Sequence, residues 1–129
     1  MPHLTVYALE QDLMGNEERL LAGLTEAVVS VYGEWVRSSV DVLLIGVPPG
    51  RWAQGGGAPT DEPAPRVRFG VRELVFSRPD AQDITRRLVA GVTDAVVAVV
   101  GEERRARVAV ELVAEPDGRF GSGGELTHL

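Results

Sequence analysis

Most constraining for this chain of 129 residues is that its second half repeats its first. Displaced by 68 positions, Ala22-Gly23-Leu24-Thr25-Glu26-Ala27-Val28-Val29-Ser30-Val31-Tyr32-Gly33 lies over Ala90-Gly91-Val92-Thr93-Asp94-Ala95-Val96-Val97-Ala98-Val99-Val100-Gly101. From Arg19 to Gly56 against Arg87 to Gly124, without a gap, 20 of 38 positions are identical. A single offset held that long marks a duplicated unit. Each unit, at roughly sixty residues, buries too little surface to stand alone, so the two are expected to pair.

Within each copy the hydrophobic period changes from two to about 3.6 and back. Pro2 to Leu9 is rich in β-formers and predicts a strand, matched by about Val67 to Phe76. Leu20, Leu24, Val28 and Val31 recur at spacings of three and four. Ile84, Leu88, Val92, Ala95, Val96 and Val99 do the same, so each copy carries a helix with one apolar stripe. Asn16 and either Ser77 or Asp80 are N-cap candidates, and Gly33 and Gly101 stand where a helix end calls for positive φ. Val40 to Val47 and Arg107 to Val113 predict closing strands. The Gly-rich hairpins that follow are Gly50-Arg51-Trp52-Ala53-Gln54-Gly55-Gly56 and Gly118-Arg119-Phe120-Gly121-Ser122-Gly123-Gly124. The organisation expected is a first β-α-β unit over 1–56, a Gly/Pro-rich linker over 57–66 and a second unit over 67–129, together one compact domain. A strand-helix-strand passage makes its two strands parallel with a right-handed crossover. The fold class is therefore α/β (α+β), with a four-stranded sheet and both helices on one face. The other face, still partly apolar, calls for burial by further subunits.

Composition narrows the chemistry. The chain has no Cys, which removes disulfides and thiolate nucleophiles. All 13 basic residues are Arg, which removes a lysine Schiff base and a P-loop. Only His3 and His128 exist, one near each end, a poor basis for a metal site or a Ser-His-Asp triad. A formal charge of -6 argues against a nucleic-acid surface. The longest apolar run, Ala95 to Val100, is too short to cross a bilayer, and no secretion signal opens the chain. The expectation is a soluble cytoplasmic protein without metal or organic cofactor. A catalytic base would come from a carboxylate or from the α-amino terminus.

Pro2 directly after the initiator Met, a β-α-β unit with Thr25-Glu26-Ala27 in mid-helix, and the closing Gly118-Arg119-Phe120-Gly121-Ser122-Gly123-Gly124-Glu125-Leu126 together resemble the tautomerase superfamily, and within it 4-oxalocrotonate tautomerase. The likeness covers both halves, and its duplicated form is similar in size to malonate semialdehyde decarboxylase and the cis-3-chloroacrylic acid dehalogenases. The resemblance implies a homotrimer and a tautomerase whose Pro2 amine shuttles a proton on a small 2-oxo or 2-hydroxydienoic acid. Alternatives left open are decarboxylation of a small β-keto acid and a catalytically reduced binding or assembly protein. An unperturbed α-amino group titrates near pH 8, close enough to neutrality to serve as a base once burial lowers it.

A carboxylate substrate needs a cation, and the planar fork of Arg fits it best. At the places where the family carries Arg, this chain has Asp12, Asp41 and Ala109. Arg78, in Ser77-Arg78-Pro79, is the candidate for carboxylate binding, its alternative being a solvated arginine beside a helix start. Arg72 is the second choice, its alternative a strand surface residue. Phe120 matches the family's hairpin Phe, which implies an apolar wall near the amine, and Trp52 holds the same place in the first half. Ser122 and Gln54 stand where dehalogenases carry a Glu, which speaks against hydrolytic dehalogenation. Arg104, Arg105 and Arg107 read as a solvated basic run, and the ungapped register sets Gly70 opposite Pro2.

Overall fold

A computed structural model describes residues 2–127; Met1, His128 and Leu129 lie outside the described residues. The first unit runs from β1 (His3–Leu9) through a single turn α1 (Glu10–Leu13) to α2 (Glu17–Tyr32), a 3₁₀ segment (Glu34–Ser39) and β2 (Asp41–Val47). The second runs from β3 (Arg66–Arg72) through a 3₁₀ segment (Glu73–Ser77) to α3 (Ala81–Val100), a further 3₁₀ segment (Glu102–Arg107) and β4 (Ala109–Glu115). A small hairpin, β5 (Phe120–Ser122) with β6 (Glu125–Thr127), follows.

The main sheet has the order β2-β1-β3-β4. Each crossover makes a parallel pair, β1 with β2 and β3 with β4. The two units join through β1 and β3, antiparallel at the centre, with Leu4 opposite Phe69 and Val6 opposite Val67. One core results. Leu4, Val6 and Ala8 of β1 and Val67, Phe69 and Val71 of β3 face Leu20, Leu24 and Val28 of α2 and Leu88, Val92 and Val96 of α3. The helices come close because both copies place Gly and Ala at the contact. A Cβ on Gly23 would stand 3.5 Å from the Ala95 Cβ, and one on Gly91 3.5 Å from the Ala27 Cβ. The opposite face of the sheet keeps apolar groups in the open, Leu43 and Ile45 among them. Among the described residues no helix is long and apolar enough to cross a membrane.

Several expectations need correction. The second opening strand ends at Arg72, not Phe76, because its partners run out: β1 pairs with it only as far as Gly70 and β4 only as far as Glu115. Without a ladder to continue, residues 73–77 coil into a 3₁₀ turn. The closing strand likewise starts at Ala109 after the 3₁₀ segment that takes up Arg107. Asn16 and Asp80 do precede the helices, but neither side chain caps. Asn16 donates back to the Asp12 carbonyl, and the Asp80 carboxylate is taken by Arg78. Gly33 and Gly101 close α2 and α3 at φ 105° and 110°, in the region that disfavours a side chain. The first Gly-rich segment forms a lone bridge between Gln54 and Gly57, and only the second makes a hairpin of two strands.

The internal register also differs from the ungapped one. His3 pairs with Asp41 and Arg66 with Ala109, so the opening strands correspond at an offset of 63 while the closing strands keep 68. The structural counterpart of Pro2 is thus Pro65, not Gly70. The backbone agrees: the Asp41 amide donates to the Pro2 carbonyl at 3.1 Å and the Ala109 amide to the Pro65 carbonyl at 3.4 Å. Pro65 is an interior residue of the chain, so its nitrogen is a tertiary amide and no base.

Candidate functional site

Pro2 sits where the start of β1 meets the 3₁₀ turn after α2 and the end of β3. There it lines a cavity of about 250 Å³ with Tyr32, Trp35, Val36, Ser39, Val71, Arg72 and Val75. Each arrives for a local reason. Gly33 turns the chain out of α2, so Tyr32 ends the helix and Trp35, Val36 and Ser39 follow on the next turn. Arg72 is the last residue of β3, and Val75 lies on the turn that replaces the strand. Trp35 is fixed by its indole N–H, which donates to the Tyr32 carbonyl at 2.6 Å.

The polar groups of this cavity are few and incompletely used. Three buried side-chain polar atoms lack a hydrogen-bond partner among the described residues, and two of them, the Tyr32 hydroxyl and Arg72 Nε, belong to cavity-lining side chains. Buried polar groups are nearly always paired, so orphaned ones in a cavity mark where a polar ligand atom would be welcome. Burial pushes the Tyr32 hydroxyl above the usual phenol range, against a smaller opposing pull from Arg78. Tyr32 is therefore a neutral donor at ordinary pH. Arg72 makes one loose ion pair, Nη2 to Asp117 Oδ1 at 3.7 Å.

Of the residues singled out from the sequence, Pro2 and Arg72 share the cavity. Arg78 lies near enough to bias Tyr32, but its fork is held by both Asp80 oxygens at 3.0 Å. Phe120 stacks on His3, the neighbour of Pro2, with ring centroids 6.0 Å apart. His3 Nε2 in turn contacts Glu115 Oε1 at 2.8 Å. Trp52 stands elsewhere, under Arg66, whose guanidinium lies 5.7 Å from the ring centroid. There it lines a separate hollow on the open sheet face with Tyr7, Arg51, Arg66 and Arg68. Sequence reasoning missed Tyr32, Trp35, Val36 and Val75. Tyr32 is the one position in the Ala22–Gly33 stretch where an aromatic replaces an aliphatic of the other copy, and that asymmetry was a usable signal. Among the described residues no three His, Asp or Glu side chains gather as a metal site.

Arg104 also departs from expectation. It is 6% exposed, not solvated. Its two terminal nitrogens donate to the two Asp12 oxygens at 2.9 and 2.5 Å and one reaches the Pro63 carbonyl at 2.6 Å. The hydrogen bonds it donates to Asp12 raise its already high pKa further. Asp12 stands on α1 and Arg104 on the 3₁₀ segment of the other unit, so the pair ties both halves and the linker together.

Two units fused through antiparallel central strands, with a proline-lined apolar cavity at the start of the first, define the class: a duplicated β-α-β protein of the macrophage migration inhibitory factor type of fold. The family model described as "Tautomerase enzyme" matches residues 2–62. The structure is similar over 96% of this chain and 94% of the other to the F6 fused 4-OT wild-type asymmetric trimer, at TM-score 0.79 and 25% identity. It is similar over the same shares to native fused 4-OT, at TM-score 0.80 and 23% identity. It is also similar, over 96% of this chain and 98% of the other, to macrophage migration inhibitory factor of Toxoplasma gondii, at TM-score 0.70 and 13% identity. No curated protein sequence matches. The first unit thus matches the tautomerase family, and the whole chain has the fold of the fused, two-unit 4-OT proteins.

Proposed function

We propose that this chain is a cofactor-independent tautomerase in which the Pro2 amine, freed by removal of Met1, moves a proton on a small 2-oxo acid. The observation that carries the reading is the company Pro2 keeps: an apolar cavity lined by one arginine and one neutral phenol, with the Arg72 Nε and the Tyr32 hydroxyl unused among the described residues. Apolar walls and a nearby guanidinium both disfavour a protonated amine, so it is poised as a base. The neutral amine takes the proton from the enol hydroxyl at C2. The C2–C3 double-bond pair then takes the same proton at C3, leaving the ketone and regenerating the amine. Arg72 is the cation we assign to the substrate carboxylate, because the fork of Arg78 is already engaged with Asp80. Phe120 supports the site through His3.

We also read the assembly as a homotrimer. The fused 4-OT neighbours that are trimers and the apolar Leu43 and Ile45 on the open sheet face support it. A solution mass three times 13.9 kDa is expected by light scattering; a monomer would end that reading.

The test is ketonisation of phenylenolpyruvate and 2-hydroxymuconate followed by ultraviolet absorbance, with wild type and Pro2→Ala. The expected result is a rate well above buffer that falls about 10²–10⁴-fold in kcat/KM in Pro2→Ala, with the melting temperature unchanged. No rate in either protein overturns the proposal. A similar structure is of Pt0534 inactivated by 2-oxo-3-pentynoate. The same reagent should add its own mass to the N-terminal peptide here, and intact mass should show Met1 gone.

A further inference from the structure

We propose, resting on the reading of Pro2 as proton shuttle, that the cavity selects 2-oxo acids with one carboxylate and an apolar tail and rejects those with a carboxylate at each end. Arg72 is the one cation among the described residues that line it. The neighbouring arginines are committed elsewhere. Arg78 is held by Asp80 at 3.0 Å, and Arg37, on the same turn as Trp35 and Val36, is held by Glu34 at 2.6 Å and Glu26 at 2.5 Å. The rest of the wall is mainly Trp35, Val36, Val71 and Val75, with Ser39 the one further hydroxyl.

This composition decides between substrate classes. A first carboxylate finds the unused Nε–H of Arg72, and the 2-oxo oxygen finds the unused hydroxyl of Tyr32. A second carboxylate would surrender its hydration against valines and an indole with no counter-charge, which is strongly unfavourable. An aromatic or branched aliphatic tail loses only its exposure to water there, which is favourable. The other half shows what a cation at this wall would look like. The place of Val36 is taken there by Arg104, whereas the first unit has a valine at that position.

The test is calorimetric titration of the assembled, Met1-free protein with phenylpyruvate, which has one carboxylate and an aromatic tail, and with 2-oxoadipate, which has a carboxylate at each end. Phenylpyruvate is expected to bind at least ten-fold more tightly, to lose at least ten-fold in Arg72→Ala and to lose several-fold in Tyr32→Phe, which keeps the ring. Equal or tighter binding of 2-oxoadipate, phenylpyruvate binding unchanged in Arg72→Ala, or binding of neither acid overturns the selectivity. Selective binding without Pro2-dependent turnover upholds the selectivity and sinks the proton shuttle instead. Pro2-dependent turnover that favours 2-hydroxymuconate over phenylenolpyruvate does the reverse.

Discussion

On the surface the two halves are near copies. Arg37 bridges Glu34 at 2.6 and 3.1 Å and Glu26 at 2.5 Å. Sixty-eight positions on, Arg105 bridges Glu102 at 2.6 and 3.1 Å and Asp94 at 2.8 Å. At the cavity beside Pro2 the likeness ends. The first hollow gathers Pro2 and Val36 of the first unit and Val75 of the second around open space. At the corresponding places of the second hollow stand Pro65 and Arg104 of the second unit and Asp12 of the first, the last two joined as a buried ion pair with the Pro63 carbonyl against it. Duplication thus kept the scaffold and left one of two equivalent hollows to packing. A guanidinium in the second hollow ties the units together, whereas a valine in the first leaves the cavity open.

The largest effect on this contrast is expected from Arg104→Ala, which strands the Asp12 carboxylate, itself mostly buried. The loss should be about 3–5 kcal/mol in denaturant unfolding. The double change Arg104→Met with Asp12→Leu should recover most of it, since removing both charges leaves neither unpaired. A double variant as unstable as Arg104→Ala would mean the pair is not the tie described.

Next in size is Gly70→Ala. A Cβ there would fall 2.6 Å from His3 Nε2 and nearer still to Cε1. The imidazole must shift, disturbing its contact with Glu115 and its stacking on Phe120 beside Pro2. A cost of about 1–3 kcal/mol is expected, with turnover falling as well. Unchanged activity would detach His3 and Phe120 from the site.

A smaller effect attaches to pH. Tyr32 has a raised pKa through burial, and its counterpart in the second half is Val100, which does not titrate. The unfolded chain ionises this phenol first, so its contribution to stability is complete below about pH 10 and is lost as pH rises through the folded-state value. The alkaline decline in melting temperature should be shallower in Tyr32→Phe than in wild type; an identical decline removes Tyr32 from the buried wall. Smallest of all, Arg37→Gln and Arg105→Gln should leave the melting temperature within error of wild type and of each other. These are exposed pairs screened by water. A clear difference between the two would show that the outer scaffolds are less alike than their distances indicate.

Much of the fold was legible before any coordinates. The repeat, the stripe from Leu20 to Val31 and the glycines after each helix rest on short-range physics: side-chain period, capping and positive φ. Pro2 and Arg72 were legible as candidates, through the resemblance and the need for a cation. Less legible was the correspondence between the opening strands, because an ungapped comparison cannot see that the second strand-to-helix connection is longer. Only the hydrogen-bonded register sets Pro65, rather than Gly70, against Pro2. Nor could it be read that Arg104 turns inward while Arg105 stays in water, since three arginines in one short run look alike until a carboxylate from the other unit meets one of them.

The sequence by itself determined that two β-α-β units would pair around a shared core, because each unit's apolar stripe and strand face have nothing else to cover them. Tertiary structure decided which of the two equivalent hollows stays open. That choice depends on which side chains, distant along the chain, arrive at the same place with matching charge, and no local pattern encodes such a meeting.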